Sequence, residues 1–517
     1  MIVNFIRFIN NNKKIIFKKK TNKNVLIVDR KKFGTALYSI LIASALNKKK
    51  LLNVKVLTAQ DSKSNYIKFY KSFGINDFVY SFNFKNKFDE INIITQSLFY
   101  FVKFFFIIFF KSFDWFIENF NLKGIKIGDL VYDTFISNEH NFIKPKKNLF
   151  FFKIIFLTIY KVLKILKLIK KDKVKYIIVG TANYANYDAL CIRVGLKFNI
   201  KILEAGYFHN NNALIEYKKN HIKYGLRHIF FDNKQKLKLN KLKISEKKLD
   251  RFIKNRFSNK IKLYHTNNLD VKLANKSKNF YSKEKFLSKF SNENFDKIVI
   301  FAPHAFSDAP HGGGYELHFR DFYEYFTETI NQIKKSPNNV LWIIRPHPLS
   351  KKYGEKNIVE NYLKTFQNRN IILCPKNITT QNLIQICDTV ITMKGTIGLE
   401  FASSGKKPIT CGYPPYSNFG ITLNSYSKND FFLKLKNINK LNFKLTKREK
   451  LLAKKILFYM ETMIPYREMK RSQFFQNFVL PLNSNESDLN WRRLENKFKS
   501  EIDFNRDKFY IDCLNKL

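Results

Sequence analysis

Apolar residues recur along this chain in two rhythms, and the switching between them predicts its organisation. NVLIVDR (Asn24 to Arg30) is a compact β-branched run, KKFGTALYSILIASAL after it has helical apolar spacing, and VKVLTAQ (Val54 to Gln60) is again a strand, giving a βαβ opening. Two aromatic helices punctuated by lysine are expected next, at Thr95 to Asn119 and Leu149 to Lys171. Two readings fit them: helices buried against a sheet, or an amphipathic surface resting on a membrane leaflet. Strands resume at KYIIVG (Lys175 to Gly180) and IKILEAG (Ile200 to Gly206), with a loop and helix start in TANYANYDAL between them.

From Asp232 to Asp296 the chain is rich in Lys, Asn and Ser with short apolar islands, and is read as a helical connector. Regularity then returns. Strands are expected at Lys297 to His304, Asn339 to Pro348 (stopped by two prolines), Asn370 to Cys374, Asp388 to Met393 and Lys407 to Gly412. Helices separate them at Gly314 to Ile333, Glu355 to Phe366, Thr380 to Cys387 and Thr396 to Ser404. This alternation predicts an α/β fold with a parallel, doubly wound sheet. The expected division is an N-terminal Rossmann-like domain over 1–231, a Lys-rich connector over 232–295 and a C-terminal Rossmann-like domain over 296–440. A helical segment over 441–517 is expected to pack back on the first domain.

Charge and composition narrow the class. Lys and Arg number 93 against 41 Asp and Glu in 517 residues, a formal charge of +52. Hydrophobic residues make up 45%, too many for a disordered basic tail. The lysines are diffuse and accompany 54 Phe and many Asn and Ile, a pattern that A/T-rich codons produce without selection for binding. The alternatives are an anionic membrane surface and nucleic acid. Nucleic acid is not expected, because the lysines form no aromatic-interleaved patch. Five cysteines without a C-x-x-C pair indicate neither a disulfide framework nor a zinc site, so a reduced, intracellular chain is expected. MIVNFIRFINNNKKIIFKKK has no continuous apolar core, so no secretory signal is expected. Leu98 to Phe110 is a 13-residue apolar run carrying Lys103, short of the roughly 20 that span a bilayer, and no crossing is expected.

Candidate chemistry gathers in three segments at strand carboxyl ends, where doubly wound domains place ligands. The first holds His304, Ser307, Asp308 and His311, and runs through Gly312, Gly313 and Gly314 into an expected helix start suited to an anion. Its glycines also fit a plain loop, and its two histidines, seven apart, give no metal site. In the second, Pro346 and Pro348 stiffen the turn around His347, and Arg345 with His347 suits a phosphate; a strand cap is the other reading. In the third, Lys394 and Gly395 precede Thr396, read as the N-cap of a short helix, with Glu400 one turn inside to meet ribose hydroxyls. A purely structural reading of Gly395, Gly398 and Gly405 fits too. In the N-terminal half, Glu204, Gly206 and His209 lie at a strand's carboxyl end, although His209 alone also suits a solvated loop.

RPHP, followed about fifty residues later by GTIGLEFASSGKKPITCGYPPYSNFGIT, resembles the capsule polysaccharide biosynthesis family, which includes bacterial Kdo transferases of capsule export systems. The likeness runs from Phe301 to Thr422. Two departures stand out: Tyr416-Ser417-Asn418-Phe419-Gly420 replaces an aromatic-Ala-Gly-Trp-Gly, and Phe401 occupies a position expected to be small.

The resemblance implies a GT-B architecture, two Rossmann-like domains facing a cleft with the donor held by the second. It assigns His347 and Pro348 to a donor-phosphate turn, Thr396 and Glu400 to the donor site, and Gly405, Lys406 and Pro408 to a helix-to-strand turn. The expected function is a metal-independent, cofactor-free glycosyltransferase moving a sugar from a nucleotide-sugar, CMP-linked among the candidates, to a lipid-linked glycan acceptor. Arg345, His347, Lys394, Gly395 and Thr396 would bind the donor phosphate; Asp308, then His304, then Glu204 would serve as base. A cytoplasmic protein peripheral to the anionic inner-membrane surface is expected. The alternatives are a sugar-nucleotide 2-epimerase or polyol-phosphate transferase on the same frame, and a basic membrane- or RNA-binding module.

Overall fold

The strand Asn24–Val28 (β1) is buried at all five positions, because it lies inside a parallel sheet covered on both faces. It belongs to a computed structural model that describes residues 21–30, 33–59, 64–81, 87–138, 140–180, 183–208, 211–220, 233–258, 282–290, 295–312, 317–351, 353–365, 368–375, 378–462, 467–470 and 504–517. The chain divides into two compact units: residues 1–132, 147–219 and 466–517 form the first, and 133–146 with 220–465 the second.

In the first unit β1 leads through α1 (Phe33–Lys50) to β2 (Asn53–Thr58), α2 (Asn65–Ser72) and β3 (Phe78–Tyr80). The long apolar helix α3 (Lys87–Phe110) stops at Ser112, whose hydroxyl accepts the Trp115 N–H at 3.1 Å and starts α4 (Phe113–Asn119). That cap splits the single helix expected over Thr95 to Asn119. A small hairpin, β4 (Asn121–Leu122) with β5 (Ile125–Lys126), precedes α5 (Gly128–Ile136) and α6 (Leu149–Lys171), whose bounds are those expected. Helix α6 runs antiparallel to α3: Phe152 packs on Phe105 at 4.8 Å near one end, and Lys167 meets Asp89 at 2.6 Å near the other. By length and composition Phe88–Phe110 suffices to cross a membrane, a longer apolar segment than the 13-residue run anticipated. After β6 (Val174–Val179), α7 (Tyr187–Lys197) and β7 (Lys201–Phe208), the strand β8 (Asn211–Glu216) returns antiparallel on β7. His209 lies outside the described residues.

The second unit opens with α8 (Asn233–Lys241), α9 (Glu246–Phe257) and α10 (Lys283–Phe290), which belong to its body where a connector was expected. Residues 259–281 of that connector are outside the described set. Then come β9 (Lys297–Phe301), α11 (Phe322–Ile333), β10 (Val340–Ile344), α12 (Ile358–Lys364), β11 (Ile371–Leu373), α13 (Thr380–Ile386), β12 (Thr389–Thr392), α14 (Thr396–Ser403), β13 (Ile409–Cys411), β14 (Leu423–Ser425), α15 (Lys428–Lys436) and α16 (Lys447–Thr462). All six strands are parallel in the order β11-β10-β9-β12-β13-β14, which is 3-2-1-4-5-6, that of doubly wound dinucleotide-binding sheets. Helix α16 lies in this unit, so the helical segment expected over 441–517 is split between the two units.

The chain then returns to the first unit with β15 (Arg467–Met469), which extends the sheet beside β8, and α17 (Lys508–Lys516), with Phe509 against Tyr38 of α1 at 4.6 Å. Residues 471–503 of the helical segment expected over 441–517 fall outside the described residues. That sheet is ordered β15-β8-β7-β6-β1-β2-β3 and is parallel from β7 to β3, so each unit is an α/β layer of Rossmann type.

Candidate functional site

In the second unit the strand order reverses between β9 and β12, and the crevice past their carboxyl ends is where such sheets bind ligands. Three of the expected residues meet there. His304, three residues beyond β9, accepts the main-chain N–H of Lys394 on its Nε2 at 3.1 Å. Its ring lies nearly parallel to Phe322 at 4.6 Å on one contact and to His347 at 6.4 Å on another. The Leu349 N–H points to Nδ1 of His347 at 3.3 Å, and Ser350 donates to its carbonyl through both hydroxyl (2.6 Å) and N–H (3.0 Å). The two histidines therefore present opposite tautomers, Nδ1–H in His304 and Nε2–H in His347.

Beside them starts α14. Its N-cap is Gly395, not Thr396, which is the first helical residue, and no side chain caps this terminus. The first N–H groups of an α-helix lack intrahelical partners, and the dipole makes such an end attractive to anions. The Gly395 carbonyl accepts the Tyr416 hydroxyl, and Gly395 N–H reaches Thr392 Oγ1 at 3.3 Å. Arg345 is half-buried and directs Nη1 to the Thr380 hydroxyl at 3.0 Å, which leaves four of its five donors.

Glu400 sits differently from expectation. Its Oε1 accepts Nε and Nη2 of Arg256, at 3.0 and 2.7 Å, while Nη1 of the same arginine pairs with Glu461 at 2.8 Å. The carboxylate is thus engaged, through Oε1, in joining α9, α14 and α16.

The loop after β9 is organised by two carboxylates that sequence reasoning missed. Asp133, fully buried on α5, accepts His311 Nδ1 at 2.6 Å, His311 N–H at 3.1 Å and Gly312 N–H at 3.1 Å. Glu355, also buried, accepts the Ser307 N–H at 2.7 Å and its hydroxyl at 2.6 Å. Burial raises the Glu355 pKa; the Ser307 hydrogen bonds pull it down and the nearby Asp308 pushes it up. Asp308 is half-buried in this loop. The helix expected from Gly314 begins at Phe322 as α11, where Asp321 Oδ1 accepts the Tyr323 and Glu324 N–H groups at 2.9 and 2.8 Å, and residues 317–321 before it are not helical. Gly313 and Gly314 lie outside the described residues.

Glu204 belongs to the first unit and was expected to end its strand, but β7 continues to Phe208 because β8 pairs with it; Glu204 lies in mid-strand opposite Val179 at the end of β6, where it accepts the Tyr217 hydroxyl. Burial raises its pKa to about 7, against the lowering effect of that hydrogen bond. Near the same sheet end, Arg30 donates to the Gly180 carbonyl at 2.8 Å and Asp188 accepts the Gly180 N–H at 2.7 Å. Burial raises the Asp188 pKa to about 6.

Comparison with known proteins adds the following. No curated protein matches the chain. Among solved structures, the Thermosulfurimonas dismutans KpsC β-Kdo 2,4 transferase aligns at 13% identity over 56% of this chain and 85% of its own, with a TM-score of 0.30. The Methanocaldococcus jannaschii UDP-GlcNAc 2-epimerase aligns at 12% identity over 84% and 99%, with a TM-score of 0.26. Anabaena Alr3699/HepE, in complex with UDP and glucose, aligns at 10% identity over 85% and 94%, also with a TM-score of 0.26. Residues 226–459, which carry His304, His347, Lys394 and the start of α14, match the family model described as capsule polysaccharide biosynthesis protein. The likeness to capsule polysaccharide biosynthesis proteins is confined to that stretch, a little under half of the chain.

Proposed function

We propose that the protein is a metal-independent glycosyltransferase of GT-B type, moving a sugar from a nucleotide-sugar donor to a lipid-linked capsule or surface-polysaccharide precursor at the cytoplasmic face of the inner membrane. The observation that carries this reading is the meeting of His304, His347, Lys394 and the uncapped start of α14 at the strand-order reversal of the second unit. Ring N–H donors, a lysine and a helix N-terminus gathered in one crevice neutralise a departing nucleotide phosphate, which is electrostatic catalysis by fixed donors. The match of residues 226–459 to the capsule polysaccharide biosynthesis model supports the substrate class, and the donor proposed first is CMP-linked.

With Nε2 of His304 occupied by a main-chain N–H, that histidine serves as a hydrogen-bond donor to phosphate. Asp308 is the proposed base that takes the acceptor hydroxyl's proton, in preference to His304, whose Nε2 is already engaged.

The test is thermal unfolding with CMP, UDP, GDP and CDP, for the native protein and His347→Ala. A ligand at about 100 times its dissociation constant adds roughly 2.7 kcal/mol. A shift selective for CMP and lost in the variant is the expected result. UDP selectivity moves the reading to a different transferase or the 2-epimerase, and no shift with any nucleotide overturns the donor site in favour of a basic binding module.

A further inference from the structure

The first unit carries an apolar face that no described element covers. On α3, Glu90, Ile93, Ser97 and Ile108 recur on one side and are buried. On the opposite side Leu98, Phe99, Val102, Phe106 and Phe110 face outward, Phe106 at 66% and Phe110 at 79% exposure, and Leu149 at the start of α6 extends the patch at 90%. A patch of this composition on a folded unit marks an interaction surface.

We propose that this face docks on an anionic bilayer, with α3 lying in the interfacial plane, its Phe, Leu and Val side chains in the acyl boundary and its lysines at the phosphates. Three observations select this occupant. First, the face is rimmed by the exposed cations Lys103, Lys111 and Lys153, and no acidic residue occurs from Thr95 to Lys111; the nearest exposed acids along the chain, Asp114 and Glu118, are on α4. A second copy of the chain seated on this face would press like charges together, whereas anionic headgroups complement them. Second, α3 is tied to α6 at both ends. Near its start Lys164 meets Glu90 at 3.0 Å in a buried pair, and near its finish Phe105 packs on Phe152 at 4.8 Å. A helix fastened in this way to an α/β unit lies along a membrane instead of threading it. Third, Lys103 is the one charged residue of α3 between Thr95 and Phe110, and a lysine at the edge of an apolar face lays its stem along that face while its ammonium stays at the headgroups.

This inference deepens the lipid-linked-acceptor part of the proposed function. Its test reads vesicle binding without donor or acceptor, so either reading can fail alone. The full chain is floated with phosphatidylcholine vesicles that contain or lack about 30% phosphatidylglycerol, at low and high salt. Binding at least about tenfold greater to the anionic vesicles and weakened by salt is expected. Phe106→Ser/Phe110→Ser lowers that binding about tenfold or more with the melting temperature unchanged, since both side chains are exposed, and Lys103→Glu/Lys111→Glu removes the lipid-charge preference. The proposal is overturned if the Phe106→Ser/Phe110→Ser protein binds vesicles like the native one. It is overturned equally if the native chain ignores vesicles, or forms a dimer that this variant splits.

Discussion

The main-chain N–H of Lys394 donates to Nε2 of His304 at 3.1 Å, so the loop after β12 is tied to the loop after β9 where the strand order reverses. A ring nitrogen that accepts leaves the proton of a neutral imidazole on the other one. Nitrogen-15 spectra are expected to give His304 as the Nδ1–H tautomer and His347, with Leu349 N–H on its Nδ1, as the Nε2–H tautomer. His304→Ala is expected to weaken nucleotide binding by about tenfold or more, the contribution of one hydrogen bond to a charged group. An Nε2–H tautomer at His304 would reject the donor role assigned to it.

Asp133 accepts three donors from His311 and Gly312 while fully buried. Asp133→Ala strands all three, and a loss of about 2–4 kcal/mol is expected in urea unfolding. In a double-mutant cycle with His311→Ala the two changes are expected to cost clearly less together than the sum of each alone, because they share partners. Additive costs would show that the pair is not coupled.

A Cβ at Gly398 would stand 2.5 Å from the Tyr416 hydroxyl and 3.3 Å from Thr392 Cγ2. Gly398→Ala is expected to cost about 1–3 kcal/mol by overpacking and to weaken nucleotide binding at the adjacent start of α14. Adding Tyr416→Phe removes the clashing oxygen and restores part of the stability. Equal melting temperatures for Gly398→Ala and the native protein would contradict this packing.

Glu204 titrates near 7 in the folded chain because it is buried, against an ordinary value of 4.5. The native state then binds more protons than the unfolded state between these values, so this residue's contribution makes stability fall as pH rises from about 4.5 to about 7. The gap amounts to about 3 kcal/mol at most. Asp188, raised to about 6, acts in the same direction. The melting temperature is expected to fall between pH 5 and 8, and Glu204→Gln, which never ionises, flattens that fall. A variant curve parallel to the native one would refute the assignment.

What was legible in the sequence followed local rules. The buried strands β1, β9, β10 and β12 are continuous apolar runs, and α6 is bounded by Asn148, whose side chain accepts the Phe151 N–H at 3.0 Å, and by the lysines of its last turn. His304, His347 and Lys394 were legible because a doubly wound sheet sends strand carboxyl ends to one edge. Asp133, Glu355 and Arg256 were not, since their partners lie 178, 48 and 144 residues away and no local pattern marks such pairs. Strands β3, β14 and β15, of three residues each, are too short to display a period. The start of α11 was written in the sequence, as Asp321 with Glu324 three residues on, but the glycine run upstream drew the boundary too early.

The interleaving of the two units has a consequence for the order in which the protein is made. β15 and α17 complete the sheet and cover α1 of the first unit, through Phe509 on Tyr38 and Ser44 donating to Tyr510, yet they are translated only after the entire second unit. During synthesis the first unit therefore waits with one sheet edge and one helix face unfilled, while the second has all of its strands in hand. The unit encoded earlier is the one that closes later, and until then its exposed edge and apolar helix face are open to wrong partners.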